Sequence, residues 1–374
     1  MTPAFTRKLL AALLAGRRPG GTRQPPRRLK ACVFKLDGIG DFVLALGAVR
    51  QILDHYGEAQ CALVVSKSAA DLARSEFPRA AVLGFPQFTG GMKSMLALYF
   101  GHAAQLGGYS FEKLISLRYQ RTTFHHLALS WINASHSVSF ANTPDLLESD
   151  KTIYQFLLTE RLPLPMHAPP GFSLELERHR KIVEHIRQQE TTMAGILPRF
   201  TSFVPKTGAD LIVTPYGGSP IRDYAEDKLI AVLKEVSRSV AAPIRLCGGP
   251  AERTRLGRLG AALRSQGVAN ISVEIPKSLV EFAQRVADAK AVLTVETSTA
   301  HLAAALDKPA VILIGGGHFG LLGPWQRSSK QRWLTNQLPC FGCDWRCIYP
   351  EIRCLSEIPP SAVARALLDA CLDV

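Results

Sequence analysis

The sequence predicts an α/β fold built from two domains, each with a parallel β-sheet. From residue 31, short apolar segments of strand length alternate with segments whose apolar residues recur at helical spacing, which is typical of parallel sheets covered by helices. Around residues 163–173 the sequence reads PLPMHAPPGF, which a sheet interior excludes, and the alternation then begins again. A length of 374 residues also favours two domains over one.

These changes set the expected boundaries. We expect a basic tail over residues 1–30, an N-terminal domain over 31–165, a linker over 166–207 and a C-terminal domain over 208–374. A cleft between two such domains is the usual place for a ligand. The expected strands are ACVFK, CALVV, AAVLGF, KLISL and SHSVSF in the first domain, and LIVTP, PIRLCGG, NISVEI, AVLTVE and AVILIG in the second.

Basic residues are concentrated in the tail. The formal net charge is +13, and eight lysines and arginines lie before residue 31 without an acidic residue. The apolar run LLAALLA is far shorter than a membrane span, and no small-residue cleavage site follows it. We expect a cytoplasmic protein without a nucleic-acid partner, whose tail contacts the anionic face of the inner membrane. A solvated leader without a partner is the alternative.

One aspartate stands where the first strand gives way to a helix. In KLDGIGDFVLALGAVR, residues 35–50, Asp41 follows a glycine turn and precedes an apolar helical segment. It is either an N-cap, accepting a hydrogen bond from a free N–H, or a functional carboxylate, because ligands bind at the carboxyl edge of parallel sheets.

Three loops of the second half carry groups suited to a nucleotide. ETSTAH, residues 296–301, joins a strand to a helix, and a helix N-terminus binds phosphate. PYGGSPIRDY, residues 215–224, carries Arg222, which is suited to a bidentate phosphate contact. In CGGPAERTR, Glu252 is either a helix-dipole partner or an acceptor from a ribose hydroxyl. The bland alternatives are a packed His301 and a solvated Arg222.

A glycine-rich stretch, GGGHFG at residues 315–320, matches G-x-G-x-x-G after a strand. The next residues, LLGPWQ, place a proline where the phosphate-binding helix should begin, so we set a nicotinamide enzyme aside. We expect these glycines to let the backbone turn sharply or approach a ligand closely.

Four of the eight cysteines lie close together near the C-terminus, with the spacing C-x₂-C-x₃-C-x₆-C. Four thiolates at such spacing could hold zinc or iron in a tetrahedral site. Free thiols in a compact loop are the alternative, and a bound metal would be structural. The cysteines are Cys340, Cys343, Cys347 and Cys354.

Taken in order, these segments resemble glycosyltransferase family 9, whose best-known members are the ADP-heptose:lipopolysaccharide heptosyltransferases. The resemblance covers residues 31–363 and is carried by KLDGIGDFVLALGAVRQI, KLISLRYQRTTFHHLAL, PYGGSPIRDYAEDKL, GGPAE and SLVEFAQRVADAKAVLTVETSTAHLAAALDKPAVILIGG. It implies a GT-B fold, in which two Rossmann-like, doubly wound domains face a cleft. It also implies inverting transfer of a hexose or heptose, as from ADP-heptose to a lipopolysaccharide core or related surface glycan, with no cofactor required.

The resemblance also assigns roles. Asp41 matches the general base, which takes the proton from the acceptor hydroxyl. Arg222 matches a phosphate-neutralising residue and Glu252 a nucleoside contact. The complete donor set expected is Gly217, Ser219, Arg222, Glu252, Glu296, Thr297, Ser298, Thr299 and His301. For the acceptor we expect Lys35, Arg118 and Arg121, with the loops around residues 85–126.

The donor segment departs from the family pattern. The family usually has aspartate followed by Thr/Ser-Gly where this chain has Glu296, Thr297 and Ser298, so we expect a reshaped donor loop, and the sugar and nucleotide stay open. Two alternatives are a non-catalytic nucleotide- or glycan-binding relative and a metalloprotein or redox enzyme that uses the cysteines. The presence of Asp41 and Arg222 favours the transferase.

Overall fold

The computed structural model describes residues 25–86, 105–119, 121, 123–140, 158–206 and 208–372. These form two compact units. The first contains the residues up to Met166 together with Arg178–Ile196, and the second contains His167–Glu177 together with the residues from Leu197 onward. The segment 166–207, expected as a linker, is therefore divided between the units.

The first unit contains a six-stranded, entirely parallel sheet. Its strands are β1 Arg27–Lys35, β2 Cys61–Ser66, β3 Ala81–Phe85, β4 Tyr109–Ser116, β5 Ala134–Phe140 and β6 Glu160–Leu162, in the order β3-β2-β1-β4-β5-β6. The helices in this part of the chain are α1 Ile39–Tyr56, α2 Ala70–Glu76, α3 Thr123–Ser130, α4 Leu174–Arg187 and α5 Met193–Ile196, with a 3₁₀ turn at Glu58–Gln60.

The second unit contains a parallel sheet of the same kind. Its strands are β7 Leu211–Thr214, β8 Ile244–Cys247, β9 Ile271–Glu274, β10 Ala291–Val295, β11 Ala310–Leu313 and β12 Gln331–Leu334, in the order β12-β11-β10-β7-β8-β9. The helices are α6 Glu226–Ser239, α7 Arg253–Ser265, α8 Leu279–Ala287, α9 Ser298–Ala305, α10 Arg353–Ser356 and α11 Pro360–Leu372, with 3₁₀ turns at Pro220–Arg222 and Pro250–Glu252.

Both sheets have the doubly wound order 3-2-1-4-5-6 when the strands are numbered within each unit. The strand order reverses between β1 and β4 in the first unit and between β7 and β10 in the second. Ligands of such sheets bind outside the carboxyl ends of the strands at this switch point. The predicted α/β class is confirmed, and the topology gives one candidate site in each unit.

The central strands are apolar and buried because helices cover both faces of a parallel sheet. Every residue of β2 and β10 is buried. The structure departs from the expected strands at the edges and ends. β1 begins at Arg27 rather than residue 31, because residues 27–29 pair with β4 even though both arginines are exposed. The edge strands β6 and β12 read ERL and QRWL, and the apolar pattern did not indicate them.

Among the described residues, no helix is long and apolar enough to cross a membrane. Residues 1–24 of the expected basic tail, and residues 87–104 of the expected acceptor loops, lie outside the described part of the chain.

Two helical glycines allow a test of the packing in the two units. A Cβ atom at Gly47 of α1 would lie 2.0 Å from the Ile196 carbonyl oxygen of α5, whereas one at Gly257 of α7 would meet nothing within 4 Å. We expect Gly47→Ala to lower the free energy of unfolding by about 1–3 kcal/mol, since the backbone must move apart. Gly257→Ala should instead raise it by up to about 1 kcal/mol. Urea unfolding measures both, and equal effects would contradict the packing of α1 on α5.

Candidate functional site

The switch point of the second sheet is held together by a row of hydroxyl groups. Thr214, the last residue of β7, donates to the Thr294 hydroxyl of β10 at 2.6 Å. The Thr294 oxygen lies 3.2 Å from that of Thr297, which is the N-cap of α9. The ends of both central strands are therefore tied to the start of this helix.

The segment ETSTAH forms the strand-to-helix turn that the sequence predicts. The Thr297 hydroxyl accepts a hydrogen bond from the Thr299 N–H at 3.1 Å, and α9 begins at Ser298. The positive end of the helix dipole therefore lies at the carboxyl edge of the sheet, where a phosphate group would be stabilised.

Glu296 is buried immediately before this helix. Its side chain is 5% exposed, and its Oε1 lies 3.5 Å from Nδ1 of His318. Neither carboxylate oxygen accepts a hydrogen bond from the described residues. The site therefore contains a buried negative charge whose partner is a histidine.

His318 belongs to the glycine-rich loop that follows β11. Its Nε2 lies 3.2 Å from Oδ1 of Asp344, and the Trp345 indole nitrogen lies 3.4 Å from its Nδ1. The contact with Glu296 raises the pKa of His318 above its ordinary value, although burial and Arg222 act in the opposite direction. Two carboxylates therefore favour the imidazolium form.

Arg222 also lies beside the Trp345 indole. Its guanidinium carbon is 5.4 Å from the centroid of the Trp345 ring, an arrangement typical of cation–π contacts. The preceding loop is tight, because a Cβ at Gly217 would lie 2.9 Å from the Arg222 Cβ, and the Gly217 N–H donates to Asp223 at 2.7 Å. Ser219 is the N-cap of the 3₁₀ turn that ends at Arg222.

The glycines at residues 315–317 are explained by aromatic side chains. A Cβ at Gly315 or Gly317 would lie 2.5 or 2.4 Å from the Trp345 ring, and one at Gly316 would lie 2.5 Å from Phe341. Turns, not a helix, follow these glycines, so the G-x-G-x-x-G match does not form a dinucleotide-binding unit. The groups that approach the backbone of these glycines closely are the Trp345 and Phe341 rings of this chain.

The remaining donor candidates have local partners. His301 is buried, its Nδ1 accepts from the Trp325 indole at 3.0 Å, and burial lowers its pKa to about 4. It is therefore neutral at neutral pH. Glu252 accepts from the Gly249 N–H at 2.7 Å, and its expected nucleoside contact stays a prediction.

The four clustered cysteines line one small cavity beneath the glycine-rich loop, and the Cys354 thiol accepts from the Gly316 N–H at 3.3 Å. Burial raises the pKa of Cys354. Within the described residues, no three cysteine, histidine, aspartate or glutamate side chains are grouped closely enough to hold a metal ion. The thiols as placed do not form a ligand set.

At the switch point of the first sheet, a buried aspartate organises two of the expected acceptor residues. Asp37 forms ion pairs with Lys35, at 3.1 Å, and with Arg118. Lys35 also donates to the Leu117 carbonyl at 3.1 Å. The Lys35 side chain is 2% exposed, whereas that of Arg118 is 22% exposed and is the more accessible of the two.

Arg121 has a buried guanidinium group that donates to the Ser139 hydroxyl and the Phe140 carbonyl, both at 2.7 Å. Burial lowers its pKa to about 10. These contacts join the segment after β4 to β5 and give Arg121 a structural function, and its acceptor role stays a prediction.

Asp41 lies in the first turn of α1, and the N-cap of this helix is Gly38. The N-cap interpretation of Asp41 is therefore wrong, because the helix begins two residues earlier. The carboxylate folds back over the turn, since a Cβ at Gly38 would lie 3.0 Å from Asp41 Oδ2. The aspartate is placed at the carboxyl edge of β1.

Four residues of these sites were not among the sequence candidates. Asp37, Asp344, Trp345 and His318 are each defined by a contact with a residue distant in sequence. His318 lies within the GGGHFG stretch, but the sequence analysis assigned a role only to the glycines of that stretch.

Comparisons with known proteins bear on both units. Residues 211–347 match the family model described as glycosyltransferase family 9 (heptosyltransferase). A stretch of 97 residues is 40% identical to lipopolysaccharide heptosyltransferase 1 of Pseudomonas aeruginosa and covers 26% of this chain and 25% of that relative. The match thus spans a quarter of the length of the curated relative.

Two solved structures share the fold. E. coli heptosyltransferase WaaC with ADP has a TM-score of 0.69 at 17% identity, over 91% of this chain and 100% of that chain. E. coli ADP-heptose lps heptosyltransferase II has a TM-score of 0.67 at 16% identity, over 92% and 99%. The expected GT-B fold is confirmed. Together, the matches show that residues 211–347 are similar to glycosyltransferase family 9 and that the chain shares the fold of these heptosyltransferase structures.

Proposed function

We propose that this protein is an inverting glycosyltransferase that moves a sugar from a nucleoside diphosphate to a hydroxyl group of a lipopolysaccharide core or related surface glycan. One observation carries the proposal. The Arg222 loop and the start of α9 follow the two strands at the switch point of the second sheet, inside the segment 211–347 that matches family 9.

The donor end suits a diphosphate leaving group. As the bond to the sugar breaks, negative charge grows on the diphosphate, and the α9 dipole and Arg222 would stabilise it. ADP-heptose is the first donor to test, because one structural relative was solved with ADP and another is named for ADP-heptose. Glu296 is one methylene longer than the aspartate of the family pattern, so a donor with a different sugar is also to be tested.

Asp41 is the proposed general base. An acceptor hydroxyl attacks the anomeric carbon, Asp41 takes the hydroxyl proton, and the bond to the diphosphate oxygen breaks with its electron pair. Attack opposite to the leaving group inverts the configuration. The position of Asp41, at the carboxyl edge of β1 and in the first turn of α1, supports this role.

The acceptor is proposed to contact Arg118, whose side chain is partly exposed beside Asp37. Lys35 is almost fully buried, and we propose that it fixes the position of Asp37 through their ion pair without contacting the acceptor. An arginine there would recognise an anionic group on the acceptor, such as a phosphate.

A structural zinc or iron ion at the four cysteines stays a separate proposal. Their shared cavity supports it, but their thiols would have to turn toward one another to form a ligand set. Elemental analysis of the purified protein tests this proposal. Fully active protein without bound zinc or iron would contradict it and would indicate four free thiols.

We further propose that the protein works on the cytoplasmic face of the inner membrane, where anionic lipid attracts the basic tail. Because β1 begins at Arg27, a deletion of residues 1–24 spares the sheet. This truncated chain should lose association with anionic vesicles while keeping activity on a soluble acceptor. Co-sedimentation with anionic and neutral vesicles measures it, and unchanged association would remove the tail from membrane binding.

Asp41→Asn should lower kcat by about 10²–10⁴-fold, because the amide cannot accept the proton, while leaving donor binding unchanged. Steady-state kinetics and calorimetry separate the two quantities. Asp54→Asn, an exposed aspartate of the same helix, is the matched control and should leave both unchanged. Equal losses of turnover and donor binding in Asp41→Asn would refute the general-base role.

Arg222→Ala should weaken nucleoside diphosphate binding by about 10–100-fold, the usual loss for a hydrogen bond to a charged group. Calorimetry with ADP, UDP, GDP and CMP measures the affinity and also tests the proposed donor class. Arg238→Ala, at an exposed position at the end of α6, is the control. Unchanged affinity in Arg222→Ala would exclude this residue from the site, and no binding of any nucleotide by the wild type would favour a non-catalytic relative.

A further inference from the structure

The donor site contains a buried carboxylate whose charge is balanced in an unusual way. Glu296 is 4% exposed, and neither of its oxygens accepts a hydrogen bond from the described residues. Within that part of the chain, its ion-pair partner is the His318 imidazole, at 3.5 Å, and not a lysine or an arginine. The compensating charge is therefore present only when the histidine is protonated.

The position of this carboxylate makes its charge important. Glu296 directly precedes Thr297, the N-cap of α9. An uncompensated buried carboxylate there would oppose an anionic ligand at the helix start, because like charges in a poorly solvated site repel strongly. A nucleoside diphosphate is such a ligand.

The surroundings hold His318 in place. Asp344 faces its Nε2 at 3.2 Å, Glu296 faces its Nδ1, and Trp345 packs edge-on against the ring. Arg222 is the further charged group that acts on it. A protonated imidazole can donate to both carboxylates at once, whereas a neutral one carries a single N–H.

The residues that hold the ring have an uncommon backbone conformation. Asp344 and Trp345 both have positive φ angles, 51° and 61°. Such a conformation costs about 1–3 kcal/mol for a residue other than glycine and persists where the surrounding structure enforces it. Here it directs one carboxylate and one indole at His318.

We propose that His318 is a positioning residue of the donor site, whose imidazolium, held by Asp344, neutralises Glu296 and so allows a nucleoside diphosphate to bind at the start of α9. The inference rests on the proposed function and adds to it a residue and a dependence on protonation.

The sign of the pH dependence follows. The pKa of His318 is raised, with the contact to Glu296 as the largest cause. The imidazole is fully charged well below its raised pKa, and the ion pair is lost as the pH rises through that raised value, which lies above the ordinary value of about 6.5. Donor affinity should fall over that range.

His318→Gln keeps a hydrogen-bonding side chain but removes the charge. At pH 6.5 we expect ADP affinity, measured by calorimetry, to fall by about tenfold, as for a change of one pKa unit in coupling, and to lose its dependence on pH. Donor KM should rise more than kcat falls. The matched control is His185→Gln, since His185 pairs with Glu160 at 2.6 Å in the first unit, and it should leave ADP affinity unchanged.

Two further variants separate positioning from a merely structural role. In Glu296→Gln the buried charge is gone, so adding His318→Gln should cause no further loss of ADP affinity. Asp344→Asn should lower the pKa of His318 and move the loss of affinity to lower pH. The His318 ring resonance, followed by NMR, should titrate above pH 6.5 in the wild type and lower in Glu296→Gln.

The possible results distinguish this inference from the proposed function. ADP binding by the wild type, with the same affinity and pH profile in His318→Gln, would overturn the positioning role and leave the transferase proposal intact. Failure of the wild type to bind any nucleoside diphosphate would overturn both donor binding and this role, even if NMR showed the ion pair. A second loss in the double variant would also count against the role.

Discussion

All the chemistry proposed here depends on one constraint, which is that the strands of each sheet run parallel. Parallel strands place every carboxyl end at one edge, and the helix that follows a strand directs its N-terminus, with its partial positive charge, to that same edge. In each unit, the reversal of strand order opens this edge beside the central strands. The first unit presents Asp41 there, and the second presents Arg222 and Thr297. The parallel topology thus provides, at the carboxyl edge of each sheet, the positions from which a carboxylate, a cation or a helix N-terminus can act on a ligand.

The two edges solve the same electrostatic problem in different ways. Each contains a buried carboxylate, and burial without compensation would cost several kcal/mol. Asp37 is compensated by a lysine and an arginine, Lys35 and Arg118. Glu296 is paired with a histidine, the side-chain type whose ordinary pKa lies closest to physiological pH. The first network is therefore suited to a permanent structural function, whereas the second responds to protons and to any anion that arrives beside it.

The sequence predicted what local pattern determines. Periodicity identified the central strands and the helices that follow them, and one of these helices, α8, has Ser278 as its N-cap, which accepts from the Glu281 N–H at 3.1 Å. It missed the edge strands because β6 and β12 are short and polar, and pairing alone defines them. It placed residues 296–301 correctly at a strand-to-helix turn. The His318 contacts could not be predicted, since they join residues separated by 22 and 26 positions with no periodic relation.

The glycines at residues 315–317 show how the cysteine-containing segment is connected to the donor site. Each glycine leaves the volume that a Phe341 or Trp345 ring occupies, and the Gly342 and Asp344 N–H groups donate to the carbonyls of Gly316 and Gly317. Because residues 315–317 have no side chains, Asp344 and Trp345 can pack closely enough to contact His318. Cys343 adjoins Asp344 in sequence, so the cysteine-containing segment carries the residues that contact His318. The segment thus fixes the position of the His318 imidazole through Asp344 and Trp345.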